Sequence, residues 1–355
     1  MKYYLVHFSI LFSSIVFSQE NVSYAQIYIR SENTKNVTRV FFDKNGDVYP
    51  SNDIDENLFR NANYELKTLR ISTSNNVHIS DQIWLDMQDS LSTEITLKLN
   101  KEVSKENKLY ILVHGFRKPA EPINGDTSAH DDYAFIRNSI NKATRRENYF
   151  LEVYWDGMYL KPERSLKFVT RLGKMFKKQS IVNAEKAGLG LRNIVSKIEK
   201  KDIIVISHSL GAEVLASLLF NENVHGRYTT PDQRLEICMV APAISKKEFK
   251  SYYNRSAEKS FLVADNYSLA IMYNEEDIVL SKAYEVLGVR ISFSRRYGNT
   301  RLGCNCGNEA EELKKYFKKH FVHSEISLIH ANSFGSSHHS LSYFGSEEFE
   351  EYITR

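Results

Sequence analysis

From about residue 109 the chain repeats one pattern, a short and almost unbroken apolar run followed by a helical stretch. The runs are LYILVH (109–114), YFLEVYWDG (149–157), DIIVISHS (202–209), LEICMVA (235–241), SLAIMYN (268–274) and ISLIHANS (326–333). Short apolar runs without polar alternation are strands buried on both faces. Helical patterns lie between them at 130–146, 184–200 (in spite of two glycines) and 211–220. Strands separated by helices build a mostly parallel sheet with helices on both faces and right-handed crossovers, so the fold class is α/β. A segment from 285 to 325 interrupts the pattern with Cys304, Cys306 and a charged helix, EAEELKKYFKKHF. We expect it near the rim of the site.

The chain before 108 reads differently. AQIYIR (25–30), TRVFFD (38–43), ELKTLRIST (65–73) and STEITLKLN (92–100) are strand candidates, and DKNGDVYP supplies a turn. Residues 19–107 are thus expected to be a β-rich region, either an accessory unit or an extension of the main sheet. Residues 1–18 have one lysine, an apolar middle and small residues before Gln19, the order of a secretory signal peptide. The apolar part is too short and too rich in serine to span a membrane. The expected mature chain is exported, to the periplasm or the medium, without stable membrane insertion.

Charge excludes little, but it does exclude something. Lys plus Arg is 47 against 44 for Asp plus Glu, a net charge of +3, which argues against a protein defined by nucleic-acid binding. A basic stretch at 159–185 reads as a solvated helix face, with a lid or a contact to an anionic surface as the alternative. Three cysteines make neither a disulfide framework nor a zinc site. Cys304 and Cys306 are either a local disulfide or two thiols, and Cys238 reads as a small buried hydrophobe.

The chemistry concentrates in Ser207-His208-Ser209-Leu210-Gly211. This pentapeptide follows the strand Ile203–Ile206 directly and precedes the helical run 212–220. Strand, sharp turn and helix in that order lift one hydroxyl off the sheet and aim a helix N-terminus at a reacting carbonyl. Ser209 stands at the centre of the turn. His114-Gly115-Phe116 follows the strand at 109–113, where a glycine lets the backbone approach a ligand closely. The N–H groups of Phe116 and Leu210 are the expected oxyanion donors. His114 is read as structural, bracing this loop.

On these two motifs residues 108–355 resemble the α/β-hydrolase superfamily, in particular a bacterial branch of uncharacterised lipase- or esterase-like serine hydrolases. Ser207 stands where the elbow usually has its first glycine. The resemblance implies an α/β-hydrolase fold and a nucleophile, an acid and a histidine in that chain order. The acid should follow a strand after the elbow. Asp277, in the N-x-x-D turn after SLAIMYN, is preferred to Glu275 and Glu276, with Asp265 as runner-up. The histidine should come last. His330 lies too close to its strand, leaving His338 and His339, and His339-Ser340 with Tyr343 fits the family pattern better. The expected function is an exported serine hydrolase that cleaves a small-molecule or lipid ester through an acyl-enzyme, with no metal or organic cofactor. An amidase using the same triad, or a binding protein that keeps the fold without the chemistry, is the alternative.

Overall fold

The computed structural model describes residues 34–49, 81–103, 108–116, 128–157, 180–200, 202–220, 234–257, 267–281, 283–286, 289–292, 302–320 and 326–355. The signal-peptide segment, AQIYIR, ELKTLRIST, Asp265 and most of the basic 159–185 stretch lie outside the described residues. The strands are β1 (Val37–Phe42), β2 (Val48–Tyr49), β3 (Leu109–Val113), β4 (Tyr149–Trp155), β5 (Asp202–His208), β6 (Arg234–Val240), β7 (Tyr267–Tyr273), β8 (Ala283–Val286), β9 (Val289–Ser292) and β10 (Ile326–His330). The helices are α1 (Asp81–Glu102), α2 (Ala129–Thr144), α3 (Ile181–Val195), α4 (Gly211–Phe220), α5 (Lys246–Ala257), α6 (Ile278–Ser281), α7 (Glu309–His320), α8 (Ser340–Phe344) and α9 (Glu347–Thr354).

Eight strands form one sheet in the order β10-β7-β6-β5-β3-β4-β1-β2. All neighbours are parallel except the terminal pair β1–β2, and β8–β9 form a separate antiparallel pair. The central strands are apolar because both faces are covered, and every residue of β3 and β4 is buried. One group of touching helices comprises α1, α3, α4, α5 and α7, and another comprises α2, α8 and α9. Phe220, Phe249 and Phe317 join α4, α5 and α7 through edge-on ring contacts. The chain is thus an α/β protein with a mostly parallel central sheet flanked by helices. Among the described residues no helix is long and apolar enough to cross a membrane.

The strand order fixes where a site can form. The connection after β3 leads to β4 on one side, whereas that after β5 leads to β6 on the other. Loops that diverge from adjacent parallel strands open a crevice at their C-terminal ends. Val113 pairs with Ser207 in this register, so the segment after β3 runs beside the turn after β5.

One strand expectation fails. STEITLKLN lies in α1, not in a strand. Ile95, Leu97 and Leu99 imitate a two-residue period, but Leu97 points outward at 65% exposure. The longer series Trp84, Leu91, Ile95 and Leu99 meets the core at helical spacing. Thr96 and Ser92 hydroxyls bond the carbonyls four residues back, which lets these weak helix formers sit inside the helix. TRVFFD does form a strand, β1, and it pairs with β4 in the main sheet.

The two glycines of α3 have a packing reason. A Cβ on Gly188 would lie 2.4 Å from the Val214 carbonyl oxygen and 2.7 Å from Ser217 Cβ, so α3 and α4 touch backbone to backbone. Arg192 of α3 completes the junction by donating to the Leu218 and Ser217 carbonyls in the last turn of α4. Gly188→Ala is therefore expected to destabilise the protein by about 1–3 kcal/mol through overpacking, although alanine is the better helix former. A urea melt followed by circular dichroism measures this. An unchanged or raised midpoint would contradict the close approach.

Candidate functional site

Ser209 has φ of +52°, a left-handed conformation that a side chain resists. It is held there from both sides. Its N–H donates to the Val240 carbonyl at 2.9 Å, and its own carbonyl accepts from Ala212 at 3.1 Å and Ala243 at 3.0 Å. α4 begins two residues later, which puts its N-terminus, the positive end of the helix, beside Ser209 in the chain. Gly115 comes so near that a Cβ there would lie 2.9 Å from Ser209 Cβ.

The loop carrying Gly115 is pinned by His114. Its Nδ1 lies 2.8 Å from the Gly115 carbonyl oxygen, and its Nε2 accepts the Trp155 backbone N–H at 3.1 Å. An imidazole that accepts at Nε2 and faces a carbonyl at Nδ1 is neutral, with its proton on Nδ1. Trp155 Nε1 donates back to the His114 carbonyl, and the His114 N–H donates to the Tyr133 hydroxyl. Burial pushes the Tyr133 phenol far above its usual range, so it stays a donor toward the Val153 carbonyl. The structure thus places Phe116 and Leu210 on the two segments that flank Ser209.

Asp277 is fully buried after β7, and its carboxylate is saturated. Oδ1 accepts the Val279 and Leu280 N–H groups at 3.0 and 2.9 Å, so the side chain caps α6. Oδ2 lies 2.6 Å from His338 Nδ1 and accepts the Tyr343 hydroxyl at 2.9 Å. His338 Nε2 lies 3.1 Å from Ser209 Oγ. Ser209, His338 and Asp277 form one continuous hydrogen-bonded chain with triad-like geometry.

The preference for His339 over His338 is therefore corrected. His339 is exposed and takes the N-cap position of α8 with extended backbone, φ −69° and ψ 134°. Its N–H bonds Ser337 Oγ, and the next residue, Ser340, anchors its hydroxyl on buried Asp132 of α2 at 2.7 Å. Adjacent side chains in such a segment diverge, so seating Ser340 inward sends His339 outward and His338 to the serine. Asp277 is where the N-x-x-D turn placed it. Glu275 and Glu276 are exposed, and the ring of His330 stacks on Tyr273 at 5.0 Å.

Some residues of the site escaped the sequence reading. Asn274 bonds the Gly335 carbonyl through Nδ2 at 2.5 Å and accepts the Glu276 N–H at Oδ1, tying the acid loop to the histidine loop. The turn at 302–308, closed by a Cys304–Cys306 disulfide, wedges between the loops after β6 and β7. Gly303 bonds Pro242 and Asn274 through backbone groups, and Asn305 bonds Glu275. The N-x-x-D pattern held the signal for Asn274. The 285–325 excursion does bring this turn to the site, and of the two readings of Cys304 and Cys306 the local disulfide is the one found. Its seat between the two loops is not legible locally, because its partners lie far away in sequence.

No family model matches the chain, and no curated protein matches it. Among solved structures it is similar to a crystal structure of an uncharacterized protein from Bacillus cereus, at 13% identity over 79% of this chain and 70% of that one, with a TM-score of 0.36.

The backbone of Ser209 offers a test that is independent of any substrate. Relief of left-handed strain is worth about 1–2 kcal/mol, against roughly 0.4–1 kcal/mol of extra freedom that glycine brings to the unfolded chain. Ser209→Gly is expected to be more stable than Ser209→Ala by about 0.5–1 kcal/mol. Chemical denaturation of the two variants decides it. An alanine variant more stable than the glycine variant by roughly 0.4–1 kcal/mol, the entropy difference alone, would mean that no strain is stored at this turn.

Proposed function

We propose that the protein is a serine hydrolase that cleaves a carboxylic ester through Ser209, His338 and Asp277. The observation that carries this reading is the hydrogen-bonded chain from Ser209 Oγ through His338 to buried Asp277. Each link has a chemical task. Neutral His338 takes the Ser209 proton on Nε2 while Oγ attacks the acyl carbon. Asp277 keeps the other ring proton on Nδ1 and stabilises the imidazolium that forms. The N–H groups of Phe116 and Leu210 receive the oxyanion, with the N-terminus of α4 favouring the negative charge. Collapse of the tetrahedral species expels the alcohol, protonated by His338. Water, deprotonated by the same ring, then clears the acyl-enzyme.

The left-handed serine at the switch point supports the same reading, since strain of this kind persists where the surrounding structure enforces it. The leader-like residues 1–18 support action outside the cytoplasm, in the periplasm or medium.

A fluorophosphonate probe tests the proposal directly. The folded protein should label, and Ser209→Ala should not. His338→Ala should lower the labelling rate by about 10³-fold or more, and Asp277→Asn by a comparable factor. His339→Ala should stay within about threefold, since that ring faces solvent. Labelling that survives in Ser209→Ala, or is lost in His339→Ala and kept in His338→Ala, would overturn the assignment. A p-nitrophenyl ester series of increasing acyl length then defines the substrate class.

A further inference from the structure

Asp277 Oδ2 serves two side-chain donors at once, His338 Nδ1 at 2.6 Å and the Tyr343 hydroxyl at 2.9 Å. Both come from one short stretch of chain, His338 just before α8 and Tyr343 within it. Tyr343 is fully buried, and its ring packs edge-on against Phe334 with centroids 4.6 Å apart. Packing alone would be served by phenylalanine, because burying a hydroxyl costs free energy unless it is bonded. Here the hydroxyl goes to the one oxygen that also holds the imidazole. Burial, and then the charge of Asp277, push the phenol well above its usual range, so it remains protonated and donates.

We infer that Tyr343 is a positioning residue of the triad: it holds the Asp277 carboxylate toward His338 and sets how much negative charge Oδ2 presents to the ring. The inference rests on the serine-hydrolase reading of the site. A second donor on Oδ2 absorbs part of the carboxylate's charge, and so moderates its stabilisation of the imidazolium. Too strong a hold would keep His338 protonated and idle as a base. Too loose a hold would let the carboxylate turn away.

Among the described residues, the other groups around this pair are these. The His208 ring lies 5.1 Å from the His338 ring and 6.1 Å from that of Tyr343. Asn274, on the acid's own loop, ties that loop to the histidine loop through the Gly335 carbonyl. Ser209 takes the other nitrogen of His338, and Asp132 of α2 is engaged with Ser340. Glu275 and Glu276, on the acid's own loop, are exposed to solvent. Glu213, in the first turn of α4, is buried and shared by all variants below.

The test uses the fluorophosphonate reaction, which needs no knowledge of the substrate. Ser209 Oγ bonds to phosphorus, fluoride leaves, and the Oγ proton passes to His338 Nε2, which must be neutral to receive it. The second-order rate is measured against pH for the wild type, Tyr343→Phe, and a variant with 3-fluorotyrosine placed at 343 alone by codon suppression. Removing the hydroxyl leaves more charge for the imidazolium, so the acid limb of Tyr343→Phe should move up by about half a pH unit. Its plateau should fall roughly three- to tenfold, through lost orientation. Fluorination makes the hydroxyl a stronger donor and should move the limb down.

Three coincident limbs, with only stability lowered in Tyr343→Phe, would overturn the inference and leave the hydrolase reading intact. If Tyr343→Phe does not fold, the fluorinated protein decides alone, by a lowered limb or an unmoved one. A wild type that does not react, or reacts no faster than Ser209→Ala, would be a failure of the hydrolase reading and would take the inference with it.

Discussion

A carboxylate with no contact with water makes heavy demands on the chain around it, and Asp277 is such a group. Asp277 is tolerable where it sits only because donors surround it. Two are local, the Val279 and Leu280 N–H groups at the start of α6. The other two, His338 and Tyr343, lie more than sixty residues further on. Satisfying Asp277 therefore obliges the segment after β10 to fold over the segment after β7. The sheet prepares this by pairing His330 with Tyr273, and Asn274 and Ile278 tie the two loops together by hydrogen bonds to Gly335 and Ser336. The hydrogen bond to Ser209 completes that construction, with the acid holding the His338 ring through Nδ1 while Nε2 meets the serine.

The opposite wall of the site is built by strain rather than by charge. Ser209 is kept left-handed by backbone hydrogen bonds to the segments that end β6 and open α4. Such a conformation costs of the order of 1–3 kcal/mol and persists only where neighbouring structure over-determines it. Those neighbours are themselves braced. The loop after β6 is bonded to the turn at 302–308, which is bonded in turn to Asn274. Serine and acid are thus held partly by the same turn, so a disturbance of one loop reaches the other through a few backbone contacts.

Much of this was legible in the sequence, for identifiable reasons. Apolar runs without alternation locate strands covered on both faces, and all six of those expected after residue 109 are strands of the main sheet. Ser209 and Asp277 were legible because each sits in a local pattern that has a backbone consequence, a sharp turn in one case and an Asn-led turn in the other. The choice between His338 and His339 was not, because it depends on Ser340 reaching Asp132 across 208 positions of chain. STEITLKLN misled because three alternating apolar residues also fit one stripe of a longer helix, and only the span back to Trp84 separates the two periods.

The residues before 108 enter this account through a buried charge. Glu152 stands in the middle of β4 with no exposure, where an isolated carboxylate would be costly. Its Oε2 accepts Arg39 Nε at 2.9 Å from β1 and the Tyr154 hydroxyl at 2.9 Å, and its Oε1 meets Arg137 of α2. Without β1 the acid would keep one guanidinium, and the pairing edge of β4 would be bare. Breaking one side of a buried pair is costly because the remaining charge stays uncompensated. β1 is bound to the sheet by this requirement as well as by its ladder, and among the described residues the two-residue β2 ends the sheet beyond it. The strand that carries Glu152 also carries Val153 and Trp155, which hold Tyr133 and His114 beneath the Gly115 turn. The far edge of the sheet and the serine site are therefore joined through a single strand, and the stability of that edge is part of what keeps the site in shape.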